Sequence, residues 1–482
     1  MDARILQEFR AIVGEPGLIT SSEQLHTYEC DGLTNFRVMP QAVLLPDSTE
    51  QVQKIVRVCH RERIPFVARG SGTGLSGGAL PVANGIVISL ARMNRILEVD
   101  FPNARVVVEP GVLNLDVTVR VSPKGYFYAP DPSSQSVCSI GGNVAENSGG
   151  AHCLKYGFTT THVLGVEVVL PDGSLVHLGG RTLDAPGYDL SGVFVGSEGT
   201  LGVTTKVILR IVKRPECIQT LLAAFPSTRE AGAAVSGIIG ASIVPAAIEM
   251  MDNLAIQAAE AAVHANYPNC GGLLLVELDG PTAEVDALME QVDEICTKCG
   301  GTEIRVAQSE AERAVFWKGR KAAFAAVGRI SPNYIVQDGV IPRTALPRIM
   351  EEIDRLSAEA GIRVANVFHA GDGNLHPLVL YDRRIEGQEH AAEQLALRIL
   401  EMCIEAGGSI TGEHGVGEEK KQMMSKMFSE PDLETMQLVR CAFDPLQLSN
   451  PNKVFPRTRL CGEKPGRYEP HPLEVAGIAE RF

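Results

Sequence analysis

Three glycine-rich stretches, separated by runs that read as β-strands, fall within the first 215 residues and limit what this part of the chain can become. They are RGSGTGLSGGALP (69–81), DPSSQSVCSIGGNVAENSGGAHCLKYG (131–157) and GVFVGSEGTLGVTTKVILRI (192–211). In the first, Gly72, Gly74 and Gly77 spell GxGxxG. A dinucleotide loop of that pattern must open a helix whose N-terminus meets the pyrophosphate. Here Pro81 arrives four residues after Gly77, and NGIVISL reads as another strand, so no helix fits. NAD is therefore not the expected ligand. Consecutive N–H groups without a Cβ in the way instead form an anion nest, a phosphate cradle of a different kind. Upstream, PQAVLLPDSTEQVQKIVRVCHRERIPFVARG reads as strand, helix, strand, with Ser48 and Gln51 as a capping box and Val52, Ile55, Val56 and Cys59 on one face. HVLGVEVVLPDGSLVHLG is a hairpin turning at Asp172-Gly173. Three loops set between strands suit one domain wrapped around one large ligand.

The formal charge of -14 argues against nucleic acid or an anionic membrane as partner. The amino terminus has no apolar core of a signal peptide. The longest weakly polar run, AAVSGIIGASIVPAAIEMM, reads as a helix followed by a strand, so no direct membrane span is expected. Eleven scattered cysteines without an export signal read as reduced thiols in a cytoplasmic protein. Cys296 and Cys299 form a lone CxxC on a helical pattern, too few thiolates for a zinc or iron–sulfur site. From Pro215 onward QTLLAAFP, a helix at 228–240, GGLLLVELDG and a helix at 282–299 alternate. That order predicts an α+β domain with helices on one face of an antiparallel sheet. The tail after Pro456 reads as loose.

VANVFHAGDGNLHPLVLYD reads as two strands around a tight turn, with His369 and His376 on either side of it. After the helix EHAAEQLALRILEMCIEAG, Glu413 and His414 lie in the glycine-flanked SITGEHGVGEEKK. Two histidines and a carboxylate with open positions form a common catalytic metal set.

Taken in order, RGSGTGLSGGALP, SIGGNVAENSGG, GSEGTLGV, HAGDGNLHP, GEHGVG and DPLQLSNPNKVFP resemble the FAD-linked oxidoreductases of the vanillyl-alcohol oxidase superfamily. Within it the likeness is to the branch of bacterial glycolate-oxidase flavin subunits and D-lactate dehydrogenases. The resemblance runs from about Pro40 to Pro456. It implies an α+β fold: a helical segment at 1–37, a two-part PCMH-type FAD-binding domain at 38–217, and a substrate and metal domain at 218–456. The last would hold a ferredoxin-like antiparallel cap and a C-terminal helical segment, with a tail at 457–482. It implies that Arg69, Gly70, Ser71, Gly72, Thr73, Gly74 and Leu75 cradle the FAD pyrophosphate. Pro132, Ser139, Gly142, Asn143, Asn147, Gly149, Gly150, Glu198, Gly199, Gly202, Val203 and Asn452 would line the rest of the cofactor. Ser71 and Thr73 stand where some relatives attach flavin through a histidine, so FAD is expected to be non-covalent.

The resemblance further implies that His369, His376 and Glu413 hold a divalent ion, zinc being the first choice, with His414 as a base near neutrality. Arg320, in VFWKGRKAAF, would receive the substrate carboxylate, and Arg343 is a weaker candidate. A chelated 2-hydroxy acid would then lose its hydroxyl proton to His414 and its C2 hydrogen as hydride to flavin N5. Leu378 stands where relatives acting on a diacid carry asparagine, so a small monocarboxylate, glycolate or D-lactate, is expected. Electrons would pass to a separate iron–sulfur subunit or to quinone, with oxygen also open. The other readings are a D-lactate dehydrogenase proper and a flavin-binding assembly subunit without its own turnover.

Overall fold

The structure, a computed structural model, describes residues 1–182, 187–457 and 461. The expected loose tail therefore lies outside the described residues but for Arg457 and Cys461. Helix α1 (Ala3–Val13) and strand β1 (Leu18–Ile19) precede β2 (Ala42–Leu44), α2 (Thr49–Glu62), β3 (Phe66–Arg69) and β4 (Ile86–Ser89). The sheet order is β1-β2-β4-β3, with β2, β4 and β3 parallel and β1 antiparallel on the edge. The amino-terminal segment is thus more than helical: it supplies an edge strand. Its α1 buries Ile5, Phe9 and Val13 in the same core as Val52, Ile55, Val56 and Cys59 of α2. The expected capping box closes one residue early, since the Gln51 side chain accepts from Asp47 N at 2.9 Å and the Ser48 hydroxyl makes no cap bond. Between β3 and β4 the glycine loop crosses without a helix, Gly72 and Gly77 taking φ of 70° and 76°.

The second sheet is antiparallel: β5 (Ile96–Asp100), β6 (Arg105–Val108), β7 (Val163–Val169), β8 (Leu175–Gly179) and β9 (Val203–Arg210), ordered β5-β6-β9-β7-β8. The β7–β8 hairpin turns at Asp172-Gly173, with Gly173 at φ 84°. Helix α3 (Ile140–Glu146), capped by Ser139, carries the second glycine stretch beneath this sheet.

The chain then enters a larger unit. It runs β10 (Cys217–Phe225), α4 (Thr228–Gly240), β11 (Ala247–Asp252), α5 (Asn253–Val263), β12 (Gly272–Gly280), α6 (Thr282–Lys298) and β13 (Glu303–Val306). The order β13-β10-β12-β11 of these antiparallel strands is the ferredoxin-like split arrangement. After α7 (Glu310–Val327) come β14 (Asn333–Val336), β15 (Gly339–Val340), α8 (Leu346–Ala360), β16 (Val364–His369), β17 (Asn374–Leu375) and β18 (Pro377–Tyr381). Strand β16 continues the sheet beside β11, so the histidine turn sits on the cap's own framework.

The expectation of helices on one face is corrected here. Leu221, Ala223, Phe225, Leu274 and Val276 face α4, α6, α8 and the long helix α9 (Gln388–Glu405). The alternate residues Leu222, Ala224, Leu273 and Leu275 face α5 and α7. Unbroken apolar runs such as LLLV have no polar side to leave in water, so both faces are covered.

The chain closes with α10 (Glu430–Phe443), and residues 448–450 return to the first sheet. Phe66 N donates to Leu448 O at 2.9 Å, and Asn450 N to Phe66 O at 2.8 Å. Cys441 and Cys461 form a disulfide, which corrects the expectation that every thiol is reduced. The chain brings their Cα atoms to 5.5 Å, within bridging distance. Cys296 and Cys299 are free, with Cys296 in the cap core.

Candidate functional site

A cavity of about 710 Å³ lies between the glycine loops of the first unit and α7, β14 and the histidine turn of the cap. That volume is in the usual range of cofactor pockets, about 300–1,000 Å³. Arg69, Gly70, Ser71, Gly72, Thr73, Gly74 and Leu75 line it, with Pro132, Ser139, Gly142, Asn143, Glu198, Gly199 and Gly202. The cradle is shaped by missing side chains. A Cβ at Gly70 would collide with Ser139 Oγ, and one at Gly72 with the Arg69 guanidinium, which is itself held by Cys30 O at 2.7 Å. Ser139 Oγ also accepts from Gly142 N as the cap of α3, and the Gly70–Ser139 approach brings the first two glycine loops together. Backbone donors around a space reserved by glycine fit the phosphates of a dinucleotide.

The other residues expected at the cofactor stand behind those that line this cavity or beside it. Asn147 ends α3 at φ 53° and accepts from Thr160 N. A Cβ at Gly149 would come 2.7 Å from Glu413 Oε2, and Gly150 packs on Asp131. Val203 is buried in the core of β9. Asn452 offers its carbonyl to Lys421 Nζ at 3.2 Å, outside the cavity. Its neighbour Asn450 is the buried one, with Nδ2 donating to Gly78 O at 2.8 Å and Glu198 O at 2.6 Å. Two asparagines in SNPNKVFP gave no signal to separate them.

His369 and His376 meet at Glu413. Glu413 Oε1 is 3.1 Å from His369 Nε2 and 3.3 Å from His376 Nε2. Asp338, His376, Glu413 and His414 place one ligand atom each within 4.8 Å of one another. Against burial, which would raise it, His369, His376 and His414 hold Glu413 at about 2. Burial works against a charged His369 too, yet Glu249 and Glu413 keep its pKa well above the usual value. Such a set of buried imidazoles around one carboxylate has the chemistry of a divalent-cation site. His414 stacks on His376 with ring centroids 4.9 Å apart, and its Nδ1 is buried without a partner. Burial takes His414 down to about 4, Asp338 pulling the other way. Burial thus places His414 below the near-neutral value expected of it.

Asp338 is the residue that sequence reasoning passed over. Its fully buried carboxylate accepts from Thr411 Oγ1 at 2.5 Å and from the N–H groups of Gly412, Glu413 and His414 at 2.9, 3.1 and 2.9 Å. It thereby builds the turn that presents Glu413 and His414. Burial opposes its charge, but His414 and Lys420 keep its pKa well below the ordinary value. Glu249 was missed as well: Oε1 takes His369 Nδ1 at 2.7 Å and Oε2 pairs with Arg320 Nη2 at 2.5 Å. Such outer partners orient a metal-binding imidazole. Glu198, expected at the cofactor, also accepts from Val416 N and Gly417 N at 2.7 Å each, tying the third glycine stretch to the histidine-bearing turn.

Arg320 is buried under the site; its Nη2 is paired with Glu249, and its Nε has no hydrogen-bond acceptor. Its neighbours Lys321 and Phe324 line the cavity itself. Arg343 is exposed, bonded to Gly371 O. Leu378 points into the core with Phe316, Ala323 and Val367 rather than into the cavity.

Residues 40–179 match the model described as FAD binding domain, and residues 214–454 match that of FAD linked oxidases, C-terminal domain. The chain is 51% identical to glycolate oxidase subunit GlcD of Escherichia coli (strain K12) over 451 residues, 93% of this chain and 90% of that one. It is 40% identical to the Bacillus subtilis (strain 168) protein of the same name, covering 91% and 94%. It is 32% identical to D-lactate dehydrogenase of Anaerostipes hadrus, covering 87% and 90%. Among solved structures, p-cresol methylhydroxylase with substrate bound superposes at a TM-score of 0.78 and 17% identity, covering 94% and 96%; this likeness concerns the fold alone. No helix among the described residues is long and apolar enough to cross a membrane. A glycine-shaped cradle facing a histidine–carboxylate cluster, with both halves of the sequence matched to it, makes this chain a member of the FAD-linked oxidases.

Proposed function

We propose that this chain oxidises a small D-2-hydroxy monocarboxylate, glycolate or D-lactate, to the 2-oxo acid. The observation that carries the reading is the meeting of His376, Glu413 and His414 at the wall of the glycine-lined cavity. Arg69–Leu75, Ser139, Gly142 and Asn143 would hold FAD non-covalently, and His369, His376 and Glu413 a divalent cation. When bound, the flavin supplies a hydride acceptor and the cation a Lewis acid for the substrate hydroxyl.

The chain's own residues do the rest. Arg320 keeps one buried donor, Nε, without an acceptor, a costly arrangement that an incoming carboxylate would relieve. Its ion pair with Glu249 fixes the guanidinium and orients His369. His414, unprotonated because burial keeps its pKa low, takes the hydroxyl proton as the C2–H bond gives up its electron pair. Two electrons and one hydrogen leave C2 as hydride and one proton goes to His414, which yields the 2-oxo acid. The electrons then pass to a separate iron–sulfur subunit or to quinone; the word subunit in the names of the GlcD relatives supports a partner.

Leu378 does not select a monocarboxylate, because its side chain is in the core. On its cap side the cavity is lined by Phe324, Tyr334 and Val336 beside Lys321 and Asn333. Replacing His414 with alanine should leave FAD and metal bound while substrate-driven flavin reduction slows by about 10²–10⁴-fold. Unchanged reduction would remove His414 as the base.

A further inference from the structure

His152 lies in the second glycine stretch, outside the cation cluster, and its ring joins the two halves of the molecule. Nδ1 is 2.8 Å from Asp131 Oδ2 in the flavin unit, and Nε2 is 3.0 Å from Glu277 Oε1 on β12 of the cap. Glu277 is already surrounded by donors: Thr220 Oγ1 and Trp317 Nε1 at 2.6 Å each, and Arg313 at 3.3 Å. Asp131 also accepts the backbone N–H of His152 at 3.2 Å. Both carboxylates are acceptors only, so both ring nitrogens must donate, and the ring is an imidazolium. It stacks on Trp317 with centroids 5.5 Å apart and planes at 29°.

Each end of this bridge touches the cavity walls. Pro132, Ser133 and Ser134 follow Asp131 and line the cavity. Trp317 lies on α7, which also carries Arg320, Lys321 and Phe324. Gly149, three residues before His152, packs against Glu413. Lys155 and Tyr156 reach Asp279 nearby, but on the outer, more exposed side of the same seam.

We propose that His152 is a positioning residue: its imidazolium spans Asp131 and Glu277 and sets helix α7, with Arg320, in register over the flavin-side loops. The chemistry at the substrate is not its own. It acts by fixing where the carboxylate-binding helix stands relative to the cavity. This rests on the reading of Arg320 as the group that meets the substrate.

The test uses the FAD-loaded enzyme as wild type, His152→Gln, Glu277→Gln and the double variant, at matched flavin content. Two properties are read: steady-state kinetics with glycolate and D-lactate, and emission from Trp317, the chain's single tryptophan. A contacting imidazolium quenches indole emission. The expected result is a loss in kcat/KM on the order of tenfold or more, carried mainly by KM, since a misplaced binding group costs that much. Trp317 emission should rise in His152→Gln, and the double variant should be no worse than the worse single. Losses that multiply in the double variant would overturn the proposal, as would unchanged KM and emission in His152→Gln. If His152→Gln does not fold, Asp131→Asn weakens the same bridge from the other end and must raise KM in the same way; an unchanged KM there overturns the proposal too. Emission needs no turnover. A brighter but inert set of proteins would therefore sink the proposed activity while the bridge stands.

Discussion

At Gly70 one hydrogen atom stands where a methyl group would strike Ser139 Oγ, and the proposed cofactor cradle depends on that close approach. Overpacking a tight site costs about 1–3 kcal/mol, so Gly70→Ala should weaken FAD binding roughly ten- to a hundredfold. Adding Ser139→Ala removes the struck oxygen and should recover part of the affinity; a fluorescence titration of FAD onto the apoprotein reads both. Asp338 has the complementary role of filling space with charge. Asp338→Asn puts an amide where four donors and Lys420 converge, and should lower divalent-metal affinity about 10–100-fold, measured by competition with a chelator. At this scale the sequence was legible where chemistry is concentrated in short glycine-flanked runs, as with His369, His376, Glu413 and His414. It was not legible for Asp338, Glu249 or Glu277. Each is one acid among 58, and only the fold brings it to a histidine.

Strand β3 shows what an element can add. Its open edge is completed by residues 448–450, which come from the far end of the chain, and Asn450 then ties the carbonyls of Gly78 and Glu198 together. Asn450→Ala would strip partners from two buried carbonyls at about 1–3 kcal/mol each. The expected outcome is a lower denaturation midpoint and weaker FAD retention with the cap sheet intact by circular dichroism. An unchanged midpoint would mean that water replaces the amide. Elements with a strong period were readable in advance: α2 from its apolar stripe, β7–β8 from the Asp-Gly turn. The second helical face of the cap was also encoded, in apolar runs with no polar alternation, but α5 and α7 do not follow the strands in the simple order that would reveal it. The early closure of the capping box at Asp47 turns on one rotamer and one backbone angle, which no residue pattern records.

For the molecule as a whole, the seam between the flavin unit and the cap makes stability depend on pH in a defined way. Burial would raise Glu277, but His152, Thr220 and Arg313 hold it at about 2, below its ordinary 4.5. Its contribution is present above 4.5 and is lost as pH falls toward 2, a change on the order of 3 kcal/mol. Burial would lower His152, yet Asp131 and Glu277 raise it well above 6.5, so its contribution is whole below 6.5 and is lost as pH rises through the folded value. Thermal midpoints should therefore be highest between these limits, and Glu277→Gln should flatten the acid limb; an unaltered limb would contradict the pairing. Contacts between residues far apart in sequence also explain why the site could be named from motifs while its alignment could not. The central claim is that the cavity and the histidine cluster work on one 2-hydroxy acid. The most direct measurement is the visible spectrum of the FAD-loaded protein mixed without oxygen with glycolate, D-lactate or L-lactate, before and after chelation. The account predicts a flavin band bleached by glycolate or D-lactate and left intact once the metal is removed. A band that no 2-hydroxy acid bleaches, or that bleaches equally after chelation, would contradict it.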